Sequence, residues 1–167
     1  SYKLEAVIPT IKLLLKNKVK VVILSHRGRP EIPNSKFQIP NKIQISKFKK
    51  FFLKPFASIL SNKLKTKVQF VPNFDFPKIK NQIDKSKPGS IFLLENLRFL
   101  AGEEKNDPGL AMQLSLLGDF YVNDAFAVSH RNNASVCAVT KYLPSYAGLC
   151  LEKEMKNLGA IVDDSTH

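Results

Sequence analysis

An α/β fold, with a mainly parallel sheet between two layers of helices, is predicted by two features of the sequence. Short apolar runs alternate with stretches of helical spacing, and the alternation occurs four times, which implies βαβ units. The runs, VVIL at 21–24 and IFLL at 91–94 among them, are nearly continuous rather than alternating, as in strands covered on both faces. The expected architecture is a Rossmann-like three-layer αβα sandwich.

Taken in order, residues 5–16 read as a helix in which Pro9 is tolerable only near the first turn or as a kink. A strand follows at 19–25. Residues 31–50 are polar and lysine-rich, with Pro33 and Pro40, and read as a long surface loop. Phe56, Ile59, Leu60 and Leu64 have helical spacing, so 54–64 is a helix; 68–71 is a short strand. A weak helix at 76–85 leads to the Pro88-Gly89 turn and the strand IFLLEN at 91–96. Asp107-Pro108 reads as an N-cap with proline at the first helical position, opening a helix to about Leu117. A strand from Asp119 to Val122 and a helix from Glu152 to Leu158 complete the pattern.

At 167 residues the chain suits one domain, and a hydrophobic fraction of 44% excludes a disordered one. Against 14 Asp+Glu stand 26 Lys+Arg, a formal charge of +12. That excess admits nucleic acid, acidic lipid or a phosphorylated small molecule as partner. Much of it is lysine on polar faces, so charge alone does not choose among them. Cys137 and Cys150 form no CxxC pair, which speaks against a disulfide framework or a zinc site. No apolar run approaches the roughly 20 residues of a membrane span. Residues 1–15 lack a signal-peptide layout. A cytoplasmic protein without a membrane partner is expected.

The ends of the strands carry the chemistry. Ligands of open α/β sheets collect beyond the carboxyl ends of the strands. The first strand ends in SHRGRP, which alone is better explained by a solvated basic loop. IFLLEN, however, runs into Leu97, Arg98 and Phe99, and the strand ending at Val122 leads to His130 and Arg131. Strand ends thus deliver Arg29, Arg98 and Arg131, with His26 and His130 beside them. Converging arginine forks argue for a multiply anionic ligand.

SHRGRP, ENLRF followed by GEEKNDP, then DFYVNDAF, SHR and LPSYAGLCLEKEM resemble, in order and spacing over about residues 3–158, the N-terminal domain of the phosphoglycerate kinase family. The resemblance implies a monomeric glycolytic kinase of two domains. It moves a phosphoryl group reversibly between 1,3-bisphosphoglycerate and ADP. One domain binds 3-phosphoglycerate or 1,3-bisphosphoglycerate; the other binds Mg²⁺ with ATP or ADP. It further implies that 1–158 is the substrate-binding domain without its first strand, and that 159–167 lead towards the hinge. The nucleotide domain is then absent and the chain inactive alone. Carried over by position, the substrate-binding set is Lys3, His26, Arg27, Gly28, Arg29, Arg98, His130 and Arg131. Lys3 and Arg131 are catalytic, and no metal ligand is expected. Lys3 stands where the family has an arginine, keeping the charge and losing the fork. Arg27, Ala127 and Asn132-Asn133 also depart from the family's usual residues.

The chemistry agrees with this set. In the direction that phosphorylates 3-phosphoglycerate the nucleophile is the substrate's own carboxylate, ionised at pH 7. No base is needed; the difficulty is bringing anions together and neutralising charge. The sequence supplies arginines and no persuasive catalytic triad. The alternative is a basic α/β nucleic-acid-binding module that uses the lysines and the loop at 31–50. Against it, the arginines sit at strand ends and no aromatic stacking platform is present. Glu103-Glu104 with Asp107 could suggest a metal cluster but are expected to shape a helix start. Asn123-Asp124 are expected to hold their loop through backbone hydrogen bonds. The cysteines are read as apolar fillers, and Met112 and Met155 as core or rim.

Overall fold

A computed structural model describes the backbone of residues 2–30 and 48–164, and the side chains of 4–30 and 48–158. Most of the loop predicted at 31–50 therefore lies outside the described residues, as does the side chain of Lys3. Helix α1 (Tyr2–Ala6) and helix α2 (Ile8–Lys16) replace the single helix expected at 5–16. The break falls at Val7 because Pro9 sits in the first turn of α2, where its missing N–H costs no helical bond. Strand β1 (Val21–Ile23) precedes helix α3 (Lys54–Leu64), strand β2 (Val68–Val71), helix α4 (Phe76–Asp84) and strand β3 (Ile91–Leu94). Short helix α5 (Ala101–Glu104), helix α6 (Pro108–Ser115), strand β4 (Tyr121–Asn123), strand β5 (Ser145–Ala147) and helix α7 (Leu149–Asp164) follow. Asp75 and Asp107 cap α4 and α6, accepting from Lys78 N at 3.2 Å and Leu110 N at 2.7 Å.

Every strand pairing is parallel. The pairings are divided, however: β1-β3-β2 form one sheet, and among the described residues β4 pairs only with β5. The three strand ends therefore do not share one hydrogen-bonded edge. β5 has no counterpart in the predicted elements, and α7 runs past Leu158. The layers follow from β3. Ile91 and Leu93 face a core built with Ile11 of α2 and Ala57, Leu60 and Leu64 of α3. Phe92 and Leu94 face the opposite core, with Phe76, Ile79 and Ile83 of α4 and Leu110, Ala111 and Leu114 of α6. Four consecutive apolar residues are what a strand buried on both faces requires. Each such side chain contributes about 1.5–3 kcal/mol by leaving water. Cys137 is exposed rather than an apolar filler, and Met112 and Met155 lie at the surface.

Candidate functional site

The site begins with two buried polar residues that end the apolar run of β3. Glu95 Oε1 accepts from Leu53 N at 2.8 Å and from Asn96 N at 2.7 Å. Burial pushes the Glu95 carboxyl above its ordinary range, opposed by these two hydrogen bonds. Asn96, with no exposed surface, uses its whole amide. Oδ1 accepts from Arg27 N and Arg98 N, both at 3.1 Å. Nδ2 donates to Arg27 O at 2.8 Å and Phe51 O at 3.1 Å. The loop after β1 is thus clamped to the turn after β3, and Leu97 N adds a bond to Ser25 O at 3.1 Å.

Within this clamp Gly28 has φ +64°, and a Cβ there would stand 2.4 Å from Phe51 Cε1. Only glycine fits both demands. The Gly28 carbonyl accepts from Arg98 Nη1, which draws the Arg98 side chain in until 8% of it is exposed. Arg98 Nε is buried and has no hydrogen-bond partner among the described residues, although Glu104 Oε1 stands 3.5 Å away. The same oxygen is 3.8 Å from Arg29 Nε. Burial holds the Arg98 pKa below its ordinary value; the charges of Arg131 and Arg29 add to this, and Glu104 and Glu103 oppose it. Arg29, Arg98 and Arg131 are therefore electrostatic neighbours, although β4, from which Arg131 follows, belongs to the second sheet.

Beneath this cluster lies Glu103, fully buried. Its Oε1 is 2.9 Å from His26 Nε2 and accepts from Ser135 Oγ at 2.6 Å and Asn133 Nδ2 at 3.2 Å. Its Oε2 accepts from Ser135 N at 3.1 Å. Burial pushes this carboxyl up, but the bonds from His26 and Ser135 outweigh it and hold the carboxyl below its ordinary range. Burial, with the Glu103 charge adding, pushes the Tyr121 hydroxyl up to about 12. Serine, histidine and glutamate meet here, but not as a nucleophile relay: Ser135 donates to the carboxylate that His26 also faces, so no base stands ready for its proton.

The expected residues divide accordingly. His26, Gly28, Arg29, Arg98 and Arg131 come together. Arg27 turns away, its guanidinium 5.0 Å over the Phe56 ring and its Nη1 3.4 Å from Phe52 O. His130 is exposed and makes no hydrogen bond or ion pair among the described residues. Lys3 lies on α1 by its backbone. Glu103 does not merely shape a helix start; the fold buries it under His26. Asn123 holds its loop by accepting from Ala125 N at 3.0 Å. Asp124 caps α7 through Cys150 N at 2.8 Å and Leu151 N at 3.3 Å. Asn96 and Ser135 are not among the residues expected at the site, and Asn133 enters the sequence reading only as a departure from the family; the one available signal is a polar pair, Glu95-Asn96, closing an apolar run. Among the described residues there is no group of three His, Cys, Asp or Glu side chains that could hold a metal ion.

The family model described as phosphoglycerate kinase matches residues 1–167. A phosphoglycerate kinase of Orientia tsutsugamushi is 43% identical over 158 residues, covering 95% of this chain and 36% of the relative. One from a Wolbachia of Drosophila simulans is 40% identical over 151 residues, covering 90% and 34%. Among solved structures, phosphoglycerate kinase from Coxiella burnetii superposes with a TM-score of 0.73 at 36% identity, over 92% of this chain and 35% of that one. The enzyme from Pyrococcus horikoshii gives 0.75 at 30% identity, over 92% and 36%. The chain spans about a third of the length of these relatives. A parallel αβα fold that gathers arginines at its strand ends and matches the family along its whole length leaves one assignment: the chain belongs to the phosphoglycerate kinase family.

Proposed function

We propose that this chain supplies the phosphoglycerate side of a phosphoglycerate kinase, binding 3-phosphoglycerate or 1,3-bisphosphoglycerate for reversible phosphoryl transfer with ADP or ATP. The observation that carries the reading is Arg98. A guanidinium whose buried Nε–H has no hydrogen-bond partner among the described residues, flanked by Arg29 and Arg131, gains a hydrogen bond from an arriving anion without losing one. His26 and the Gly28 loop border the same place. Lys3 supplies charge towards the transferring phosphoryl group, and Arg131 stabilises it as charge builds. Arg27, set over the Phe56 ring, and the exposed His130 have a smaller part. Mg²⁺ with the nucleotide is held by residues outside these 167, in a cytoplasmic, monomeric enzyme of glycolysis with no membrane or nucleic-acid partner. Among the described residues no helix is long and apolar enough to cross a membrane.

The chain's own residues bring the substrate carboxylate and phosphate into a cationic, partly dehydrated cleft, where orientation contributes roughly 7–11 kcal/mol in favourable cases. The test is an NMR titration of the 167-residue chain with 3-phosphoglycerate into the millimolar range. Saturable shifts at Gly28, Arg98 and Arg131 amides, lost in Arg131→Ala, are expected. Shifts confined to the lysine-rich surface, or a steep fall of affinity with salt for oligonucleotides alone, would overturn the reading.

A further inference from the structure

We propose that Glu103 is the positioning residue for His26: it engages the Nε2 proton and so leaves Nδ1 as the atom that meets the phosphoglycerate. This rests on the reading of His26 as part of that ligand's site. Glu103 Oε1 lies 2.9 Å from His26 Nε2. An ionised carboxylate only accepts hydrogen bonds, so Nε2 carries the proton whether the ring is neutral or charged. The carboxylate cannot turn to follow another partner. Ser135 Oγ and Asn133 Nδ2 hold Oε1, and Ser135 N holds Oε2. The Glu103 carbonyl is fixed as well, accepting from Ala134 N at 2.9 Å.

The imidazole side chain is 15% exposed, and Nδ1 makes no hydrogen bond among the described residues. One nitrogen is committed inward to a fixed anion, and the other is free for a ligand. The arginines attract an anion but leave the tautomer of the ring undetermined; Glu103 determines it. A competing account has Glu103 only tying α5 to residues 133–135, with His26 incidental.

Two measurements separate these accounts. In the ¹⁵N-labelled 167-residue chain, long-range proton–nitrogen correlation reads which nitrogen of the neutral His26 ring is protonated. A proton on Nε2 is expected, and a proton on Nδ1 would overturn the proposal; this readout needs neither a variant nor a ligand. The second is a double-mutant cycle in 3-phosphoglycerate affinity with Glu103→Gln and His26→Ala. Glu103→Gln should weaken binding about tenfold when His26 is present and less than about twofold when it is absent. Equal losses in both backgrounds would show a merely structural role and overturn the positioning role alone. No binding by the parent chain would instead overturn the ligand reading, and with it this role of Nδ1.

Discussion

Replacing Arg98 by alanine removes the guanidinium on which the proposed anion site is centred, and its effect can be worked from the structure. The side chain is 8% exposed, so solvent and salt screen its contacts far less than those of a surface arginine. Its Nε–H has no hydrogen-bond partner among the described residues, so a ligand oxygen placed there adds a charge-assisted bond and displaces none of these. Such a bond contributes about 1.5–3 kcal/mol, which weakens 3-phosphoglycerate binding roughly 10- to 150-fold when it is lost. The substitution also removes the bond from Nη1 to the Gly28 carbonyl, worth about 0.5–1.5 kcal/mol of stability. The loop itself should stay in place, because Asn96 still grips both the N–H and the carbonyl of Arg27.

The assay is titration with 3-phosphoglycerate followed by NMR, with urea unfolding to confirm that the variant is folded. Arg98→Lys keeps the charge without the fork and should fall between parent and alanine variant. Lys78→Ala is the control for net charge, since Lys78 is 85% exposed and, among the described residues, pairs only with Asp75. Affinity of Arg98→Ala equal to the parent's, or reduced no more than that of Lys78→Ala, would refute the reasoning: the anion would then be responding to overall charge and not to this site.

Other outcomes follow from single contacts. Gly28→Ala forces a side chain into φ +64° against Phe51 and should cost about 1–2 kcal/mol of stability, read as a lower urea midpoint; an unchanged midpoint would show that the loop can relax. Asp124→Ala removes the α7 cap and should cost about 0.5–2 kcal/mol, most of it recovered in Asp124→Asn; equal loss in both variants would exclude capping as the cause. Because burial raises the Glu95 pKa, the stability from its protonated form is present below the unfolded value and lost as pH rises through the folded one. Glu95→Gln keeps an acceptor for Leu53 N and Asn96 N and should raise the urea midpoint at neutral pH; a lower midpoint there contradicts this. In a coupled assay with 3-phosphoglycerate, Mg²⁺ and ATP the 167-residue chain should read at background; turnover abolished by Arg29→Ala would require a nucleotide site within these residues.

The legible parts of the fold were those written in consecutive residues. IFLL announces β3 because two faces must be covered at once, and Asp107-Pro108 announces α6 because cap and first turn are adjacent. SYA at 145–147 announces nothing: all three residues of β5 are exposed, so no apolar run marks the strand. The gathering of Arg29, Arg98 and Arg131 was legible from their places after apolar runs. That β4 joins β5 and not the larger sheet was not, since strand partners are chosen by edges that sequence does not show. Arg27 illustrates the same limit at one residue. Its neighbours in sequence belong to the candidate site, yet Phe56 of α3 offers its ring and the guanidinium goes there. Glu103 was misread because its partners, His26 and Ser135, are distant in sequence; a glutamate in GEEK looks like helix-start chemistry until something buries it.

The two adjacent glutamates solve opposite halves of one electrostatic problem. Arginines gathered as Arg29, Arg98 and Arg131 are repel one another, and Arg98 is also deprived of water. A site of cations alone would resist folding, whereas carboxylates bonded tightly to them would compete with the ligand. Glu104 stands 3.5 Å from Arg98 Nε and 3.8 Å from Arg29 Nε, with its side chain 53% exposed. It offsets positive charge without satisfying the Arg98 Nε–H, and its exposure lets it move aside. Glu103 is the reverse: buried, bonded through both oxygens, and committed to His26 and Ser135. It cannot yield, so it orders the imidazole and, through Ser135 and Asn133, the segment that follows Arg131. One acid fixes geometry and the other lends charge that an incoming anion can take over. Exchanging their burial would reverse both effects, giving a blocked arginine and an unanchored histidine, which is why the order of these two environments matters more than the number of acids near the site.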